Sequence, residues 1–179
     1  MRRIRYSVAM SLDGYIAGPK GEFDWIKTDP EFDFGALFKQ FDTIVAGRGT
    51  FEPMVAAGRT SMPGMKTIVV SKTLRPQDHP DVGIMRDIDA LKDLKASPGK
   101  DIWLFGGGTL FRSLAEAGLV DTVEVSVQPV LLGNGIPLAP NLPAWIHLAL
   151  VKHAAYPSGA ISLEYAIRPN EPPESAPAP

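Results

Sequence analysis

The stretch "KDIWLFGGGTLFRSLAEAGLVD", Lys100 to Asp121, decides the fold. "DIWLF" has the apolar character of a strand. "TLFRSLAEAG" buries Leu110, Phe111 and Leu114 as a short helix, with Gly118 as its stop. Between strand and helix stand Gly106, Gly107 and Gly108. A glycine costs an element interior about 0.5–1 kcal/mol relative to alanine. Three of them at a strand-to-helix junction therefore mark a backbone that must turn tightly or be approached closely.

The same junction occurs earlier in the chain. "IVAGRGTF", with Gly47, Arg48 and Thr50, and "LFGGGTLF", with Gly106 to Leu110, each run from an apolar strand through Gly-x-Gly-Thr into a helical start. A helix start presents unpaired N–H groups and the positive end of the helix dipole, so a phosphate binds well there. Glycine removes the Cβ that would hold the phosphate off, and Thr50 or Thr109 adds a hydroxyl. Two such turns on one sheet would hold two parts of one dinucleotide; a single one is an ordinary structural turn. The Rossmann pattern would need glycine where Phe111 stands, and the Walker pattern is absent. Arg48, inside the first turn, and Lys72, behind the strand "TIVVS", are either grips for a 2′-phosphate or two solvated surface cations.

Outward from these turns, Arg3 to Met10 alternates with period two, as a strand does. One face carries Ile4, Tyr6, Val8 and Met10. The other becomes small at Ser7 and Ala9, where either a packed helix or another group approaches the backbone. "SLDGYIAGPKGEFDWIKTDP" reads as a loop. A helix is expected next, capped by Thr28 or Asp29 with Pro30 in its first turn. It would run to about Gln40, with Phe34, Leu37, Phe38 and Phe41 buried. "DTIVAG", "KTIVVS" and "VGIMR" read as strands, and "DIDALKDLKAS" as a helix capped by Asp87. "DTVEVSVQPVLL" alternates valine against polar residues. "WIHLALVKHAA" and "AISLEYAIR" form a hairpin around "YPSG". Strands alternating with helices, followed by strands alone, predict an α/β mixed sheet with an antiparallel edge. From Pro169 on, "PNEPPESAPAP" lacks apolar groups and is expected to be disordered. The organisation expected is one domain, 1–168, and a Pro-rich tail, 169–179.

Composition narrows the function. Of 179 residues, 45% are apolar and 21% charged, which suits an ordinary globular domain. A net charge of −2 shows no basic excess for nucleic acid or an anionic membrane. There is no cysteine, which removes disulfides and thiolate chemistry and fits a cytoplasmic setting. His79, His147 and His153 are scattered, so no metal site is expected. The basic start "MRRIRYSVAM" reads as a strand and not a signal segment. No run approaches the ~20 apolar residues of a membrane span.

Four motifs occur in order: "AMSLDGYIAG", "AGRGTFE", "VVSKTL" and "LFGGGTLFRSL". On these, from about Arg3 to Arg168, the chain resembles the dihydrofolate reductase fold. It is most similar to the stand-alone relatives of the reductase domain of the bifunctional riboflavin-biosynthesis deaminase-reductase. The resemblance implies a central eight-stranded mixed sheet flanked by helices and an NADPH-dependent reductase. It also implies a homodimer acting on a small pterin-like or ribosylaminopyrimidine-type substrate. It places Ala9 and Ile16 at the nicotinamide, and Gly47, Arg48 and Thr50 at the phosphates. Ser71 and Lys72 fall at the adenosine end, and Gly106, Gly107, Gly108, Thr109 and Leu110 under the pyrophosphate, with a cis Gly106–Gly107 bond. Asp13, Trp25, Glu31 and Phe34 fall at the substrate. For the proton-donating carboxylate, Asp33 and Glu31 compete. Asp33 is preferred, five residues before Phe38, although a helix N-terminus alone accounts for a carboxylate there. Asp13 equally suits a turn cap. The segment before this helix is about two residues longer than the family pattern. A non-catalytic nucleotide-binding module of the same fold and a purely structural partner protein are the rival readings.

Overall fold

The first strand predicted by alternation, β1 (Ile4–Ser11), lies at the centre of the sheet in the computed structural model, which describes residues 1–168. The tail expected at 169–179 lies outside the described residues. On one side β1 pairs in parallel with β6 (Asp101–Gly106). Beyond it follow β3 (Phe41–Gly47), β4 (Lys66–Val70) and β5 (Gly83–Met85), all parallel. On the other side β1 pairs in parallel with β7 (Thr122–Gln128). There the direction reverses: β10 (Ile161–Ile167) is antiparallel to β7, and β9 (Leu148–Ala155) closes the edge. The eight-stranded mixed sheet with an antiparallel hairpin at one edge is the architecture expected.

Helices cover both faces. On one, Ile4 and Tyr6 of β1, Ile102 and Leu104 of β6, and Val123 and Val125 of β7 form the main core. They pack with Leu91 of α3 (Ala90–Ala96) and with Leu110, Phe111 and Leu114 of α4 (Gly108–Glu116). The Tyr6 ring stacks on Phe111 at 4.4 Å and its hydroxyl donates to the Leu138 carbonyl at 3.0 Å. Burial pushes ionisation of that phenol well up. On the opposite face, Phe41, Ile44 and Trp103 meet Leu37 and Phe38 of α1 (Phe34–Phe38). Phe51 of α2 (Arg48–Ala56) packs with Val69 and Val82.

Four local expectations are corrected. The helix expected from Thr28 or Asp29 to Gln40 is only α1, because Asp33 caps it and the chain enters β3 at Phe41. Phe34 is therefore 40% exposed and not part of a buried stripe. The helix "DIDALKDLKAS" begins at Ala90, and Asp87 accepts from the amide of Asp89 in the turn before it. The first loop contains a short strand, β2 (Tyr15–Ala17), paired with β8 (Ile136–Pro137). Finally, β7 is covered on both faces. Glu124, on the polar side of the alternation, is buried because Arg5 on β1 meets it. The Arg5 Nε donates to Glu124 Oε1 at 2.6 Å and Nη2 to Oε2 at 2.9 Å. Nη1 donates to Gln40 Oε1 at 2.6 Å, and the guanidinium lies 4.7 Å from the Phe41 ring centre.

Candidate functional site

A cleft of ≈ 1110 Å³ opens along the C-terminal ends of β4, β3, β6 and β1. In an open parallel sheet this is where ligands bind. At its middle, β3 hands over to α2 and β6 to α4. Both helices start on a glycine, Gly47 and Gly107, with no side-chain cap. Their first amides are thus left for a ligand. The two turns touch: a Cβ on Gly47 would lie 3.7 Å from the Leu110 Cβ and 3.9 Å from the Gly106 carbonyl oxygen. The Thr50 hydroxyl would lie 3.3 Å from a Cβ on Gly106 and 3.4 Å from one on Gly107.

The three glycines have three separate causes. Gly106 adopts φ +141°, which L side chains rarely reach, and the Gly106–Gly107 bond is cis. Gly107 is the open cap of α4. Gly108 is pressed against the segment after β8: a Cβ there would lie 2.6 Å from both the Pro137 carbonyl oxygen and the Pro140 Cδ.

Toward β4 and β5 the cleft turns cationic. Arg48 donates to the Thr73 hydroxyl at 3.0 Å and lies 3.4 Å from Glu52. Arg86 donates to the Ser71 carbonyl at 2.8 Å, and Lys72 stands exposed beside them. Ser71 is buried, and its hydroxyl accepts from the amides of Thr73 and Leu74 at 3.3 and 3.2 Å, shaping this loop. Toward β1 the floor is small, Ser7 and Ala9, with Ile16 and Ala17 from β2. Trp103 lies beside it, its indole N–H donating to the Ser7 carbonyl at 2.7 Å, and Phe105 packs edge-on to Trp103 at 5.2 Å.

The cleft is lined by each residue expected at a cofactor: Ala9, Ile16, Gly47, Arg48, Thr50, Ser71, Lys72 and Gly106 to Leu110. The five residues expected at the substrate or as proton donor do not line it. The Asp33 carboxylate turns back on α1 and accepts from the Ala36 amide at 2.8 Å, as an N-cap does. Glu31 is exposed, and the Trp25 indole donates to the Glu22 carbonyl at 3.0 Å. Phe34 packs on Phe32 with ring centres 4.5 Å apart. Asp13 accepts from the Ser11 hydroxyl at 2.6 Å and from the amides of Gly133 and Leu132 at 2.7 and 3.1 Å. The Ser11 hydroxyl, helped by those amides, holds its carboxyl below the usual range. Asp13 therefore pins the 131–135 loop to the end of β1.

Several lining residues escaped the sequence reading. Trp103 and Phe105 carried a signal: the period-two alternation of "DIWLFG" places them on one face, next to Ser7. Phe23, Met54, Arg59, Met62 and Arg86 carried none, because loop and helix-end packing brings them in. Among the described residues no three His, Cys, Asp or Glu come together as a metal site, and no helix is long and apolar enough to cross a membrane.

The sequence model of the RibD C-terminal domain matches residues 2–162. The uncharacterized protein YyaP of Bacillus subtilis (strain 168) is 35% identical over 177 residues, covering 92% of this chain and 94% of that protein. A protein of Shewanella sp. PV-4, assigned provisionally to riboflavin biosynthesis, superimposes with a TM-score of 0.79. It is 27% identical, over 94% of this chain and all of that one. Dihydrofolate reductase of Enterococcus faecalis, in complex with NADP(H), shares the fold with a TM-score of 0.67. It is 18% identical, over 93% of this chain and 97% of its own.

Proposed function

The chain belongs to the RibD C-terminal domain family, and from that premise we propose that it is an NADPH-dependent reductase of a small planar substrate. One observation carries the reading: two uncapped helix starts meet at the middle of a single cleft that is cationic at one end and small-floored at the other. In sheet order the cationic end is at β4, the glycine turns at β3 and β6, and the small floor at β1. Three strand spacings of about 4.8 Å separate the ends by roughly 14 Å. That order matches the parts of a stretched dinucleotide: a phosphorylated adenosine ribose, a pyrophosphate and a flat ring.

The residues present fit that group. The amides of α2 and α4 face where a pyrophosphate would lie; a side chain at Gly49 would enter open space, and one at Gly47 would sit between the two turns, in contact with Leu110 and the Gly106 carbonyl. Lys72 and Arg48 suit a 2′-phosphate. When bound, the reduced nicotinamide supplies a hydride. The chain's own part is placement. Ser7 and Ala9 let a ring approach the β1 backbone, and Ile16, Trp103 and Phe105 keep water from its edge. With Asp33 serving α1, the proton comes from water at the cleft mouth.

Substituting Lys72→Ala tests the cofactor assignment. NADPH binding should weaken about tenfold, the worth of one charge-assisted hydrogen bond, while NADH binding changes little. Equal losses for the two nucleotides would remove the 2′-phosphate role. The turned-away Asp33 favours a second reading, a module that binds nucleotide without chemistry; it predicts NADPH retention with no oxidation by any acceptor. The homodimer is likewise proposed, with β9 as its contact. This edge strand pairs on one side only and exposes Leu148, Leu150 and Val151.

A further inference from the structure

We propose that Trp103 is a positioning residue: its indole N–H holds the Ser7 carbonyl and thereby fixes the stretch of β1 on which the nicotinamide ring lies. The inference rests on the reductase reading and concerns the β1 end of that same cleft. Its first observation is where two strands part. β1 and β6 pair through Ile4 with Ile102, Arg5 with Trp103 and Tyr6 with Leu104, whereas β1 continues beside β7 as far as Ser11. Ser7 is the first residue of β1 beyond the β6 pairing. From there the strand is paired on one side only, and Ser7, Val8 and Ala9 line the cleft.

The direction of the backbone groups follows from the ladder. The Arg3 carbonyl accepts from the Ile102 amide on β6, and the Ile4 carbonyl from the Asp121 amide just before β7. Odd-numbered residues of β1 thus turn their N–H and C=O toward β6. The β1–β7 register runs on without a shift, so Ser7 and Ala9 keep that direction. Past Tyr6 these groups face the opening between the two strands. A peptide group released from its ladder is free to tilt. A tilt at Ser7 is passed to Ala9, two residues and roughly 7 Å along the strand.

Trp103 removes that freedom. It stands opposite Arg5 in the register, and its side chain reaches two residues further along β1, where Nε1 donates to the Ser7 carbonyl at 2.7 Å. The indole itself is held. It is 7% exposed, stacks on Phe41 at 5.3 Å, and meets Phe38 at 5.6 Å and the edge of Phe105 at 5.2 Å. A fixed donor therefore grips a carbonyl just past the end of the strand pairing. Any buried indole needs a partner. This one takes its partner at the edge of the opening, and its ring also lines the cleft. Arg48 and Lys72 lie toward the other end, at β3 and β4. The bond thus bears on the nicotinamide half of the cofactor and not on the adenosine half. Placing that ring is what a hydride transfer asks of the chain.

The test is titration of NADPH, and of adenosine 2′,5′-bisphosphate, which lacks the nicotinamide half, into the native protein and Trp103→Phe. Phenylalanine keeps a ring and removes the donor. NADPH affinity should fall about five- to tenfold, the worth of one neutral hydrogen bond, while that of adenosine 2′,5′-bisphosphate stays within about twofold. A purely structural role would lower both affinities or neither, and either result overturns the inference. A second measurement leaves Trp103 in place, should its variant fail to fold. Coupling is reciprocal, so a nicotinamide that the bond places must in turn hold the bond. In protein carrying Trp25→Phe and Trp145→Phe, Trp103 is the single indole. Its N–H exchange with water, followed by NMR, should slow about five- to tenfold with NADPH and hold steady with adenosine 2′,5′-bisphosphate. Equal slowing by both ligands, or none by NADPH, overturns the inference as well. Failure of the native protein to bind either ligand is a separate result: it overturns the reductase reading, and this inference with it.

Discussion

Gly47 and Gly108 occupy matching turns, yet the surroundings of each predict opposite consequences for alanine. At Gly108 an added methyl meets the carbonyls of Pro137 and Leu138 and the Pro140 ring, so Gly108→Ala should lose about 1–3 kcal/mol of stability by overpacking. At Gly47 the nearest atom is 3.7 Å away and φ is −80°, so alanine fits the fold. Gly47→Ala should keep its unfolding midpoint and lose affinity for NADPH, because the methyl would fill the space between the two glycine turns that the proposed phosphates bridge. Thermal unfolding and nucleotide titration of both variants check the pair. Asp33 makes a third case. Asp33→Ala should cost about 1 kcal/mol as a lost N-cap, measured by urea unfolding, and leave NADPH oxidation within about twofold. A collapse of turnover at unchanged stability would restore it as the proton donor.

Between elements, carboxylates tie loops to the sheet. Asp13 joins the end of β1 to the 131–135 loop. Asp29 joins the segment before α1 to the 156–159 turn. Hydrogen bonds hold both below their ordinary pKa, chiefly from Ser11 for Asp13 and from Ser158 for Asp29. A carboxyl depressed in the folded state contributes stability above its unfolded pKa of about 4 and loses it as pH falls through the folded value. The amide resonances of Gly133 and Ser158 should therefore hold steady down to about pH 4 and shift below it; shifts starting near pH 6 would contradict these ties. The buried pair between β1 and β7 is a stronger tie. Glu124→Ala strips the buried Arg5 of its two-bond carboxylate partner and leaves it Gln40 and a longer 3.4 Å contact to Asp101, so urea unfolding should show a loss of about 3 kcal/mol, the low end for breaking a buried pair. Legibility differs here for a physical reason. Strands and the two glycine turns were readable because backbone alternation and chirality are local. The burial of Glu124 was not legible, because its partner, Arg5, is far away in sequence and only the β1–β7 register brings them together.

At the scale of the molecule, strand order joins four distant motifs into one cleft, and that much was legible through the motifs themselves. Part of the cleft lining was not. It includes Phe23, Met54 and Met62, whose positions depend on how a loop and a helix end pack, and no periodicity encodes that. The edge strand β9 gives a prediction at this scale. Sedimentation at micromolar concentration should return a dimer mass, and Leu150→Lys a monomer mass; a monomeric native protein would contradict the contact. On the proposed function, the glycine turns of β3–α2 and β6–α4 act together on one pyridine nucleotide. Fluorescence titration of NADPH into the purified protein measures this directly. The prediction is saturable enhancement with a micromolar Kd, weakened by Gly47→Ala. No saturable signal up to high micromolar NADPH would contradict it.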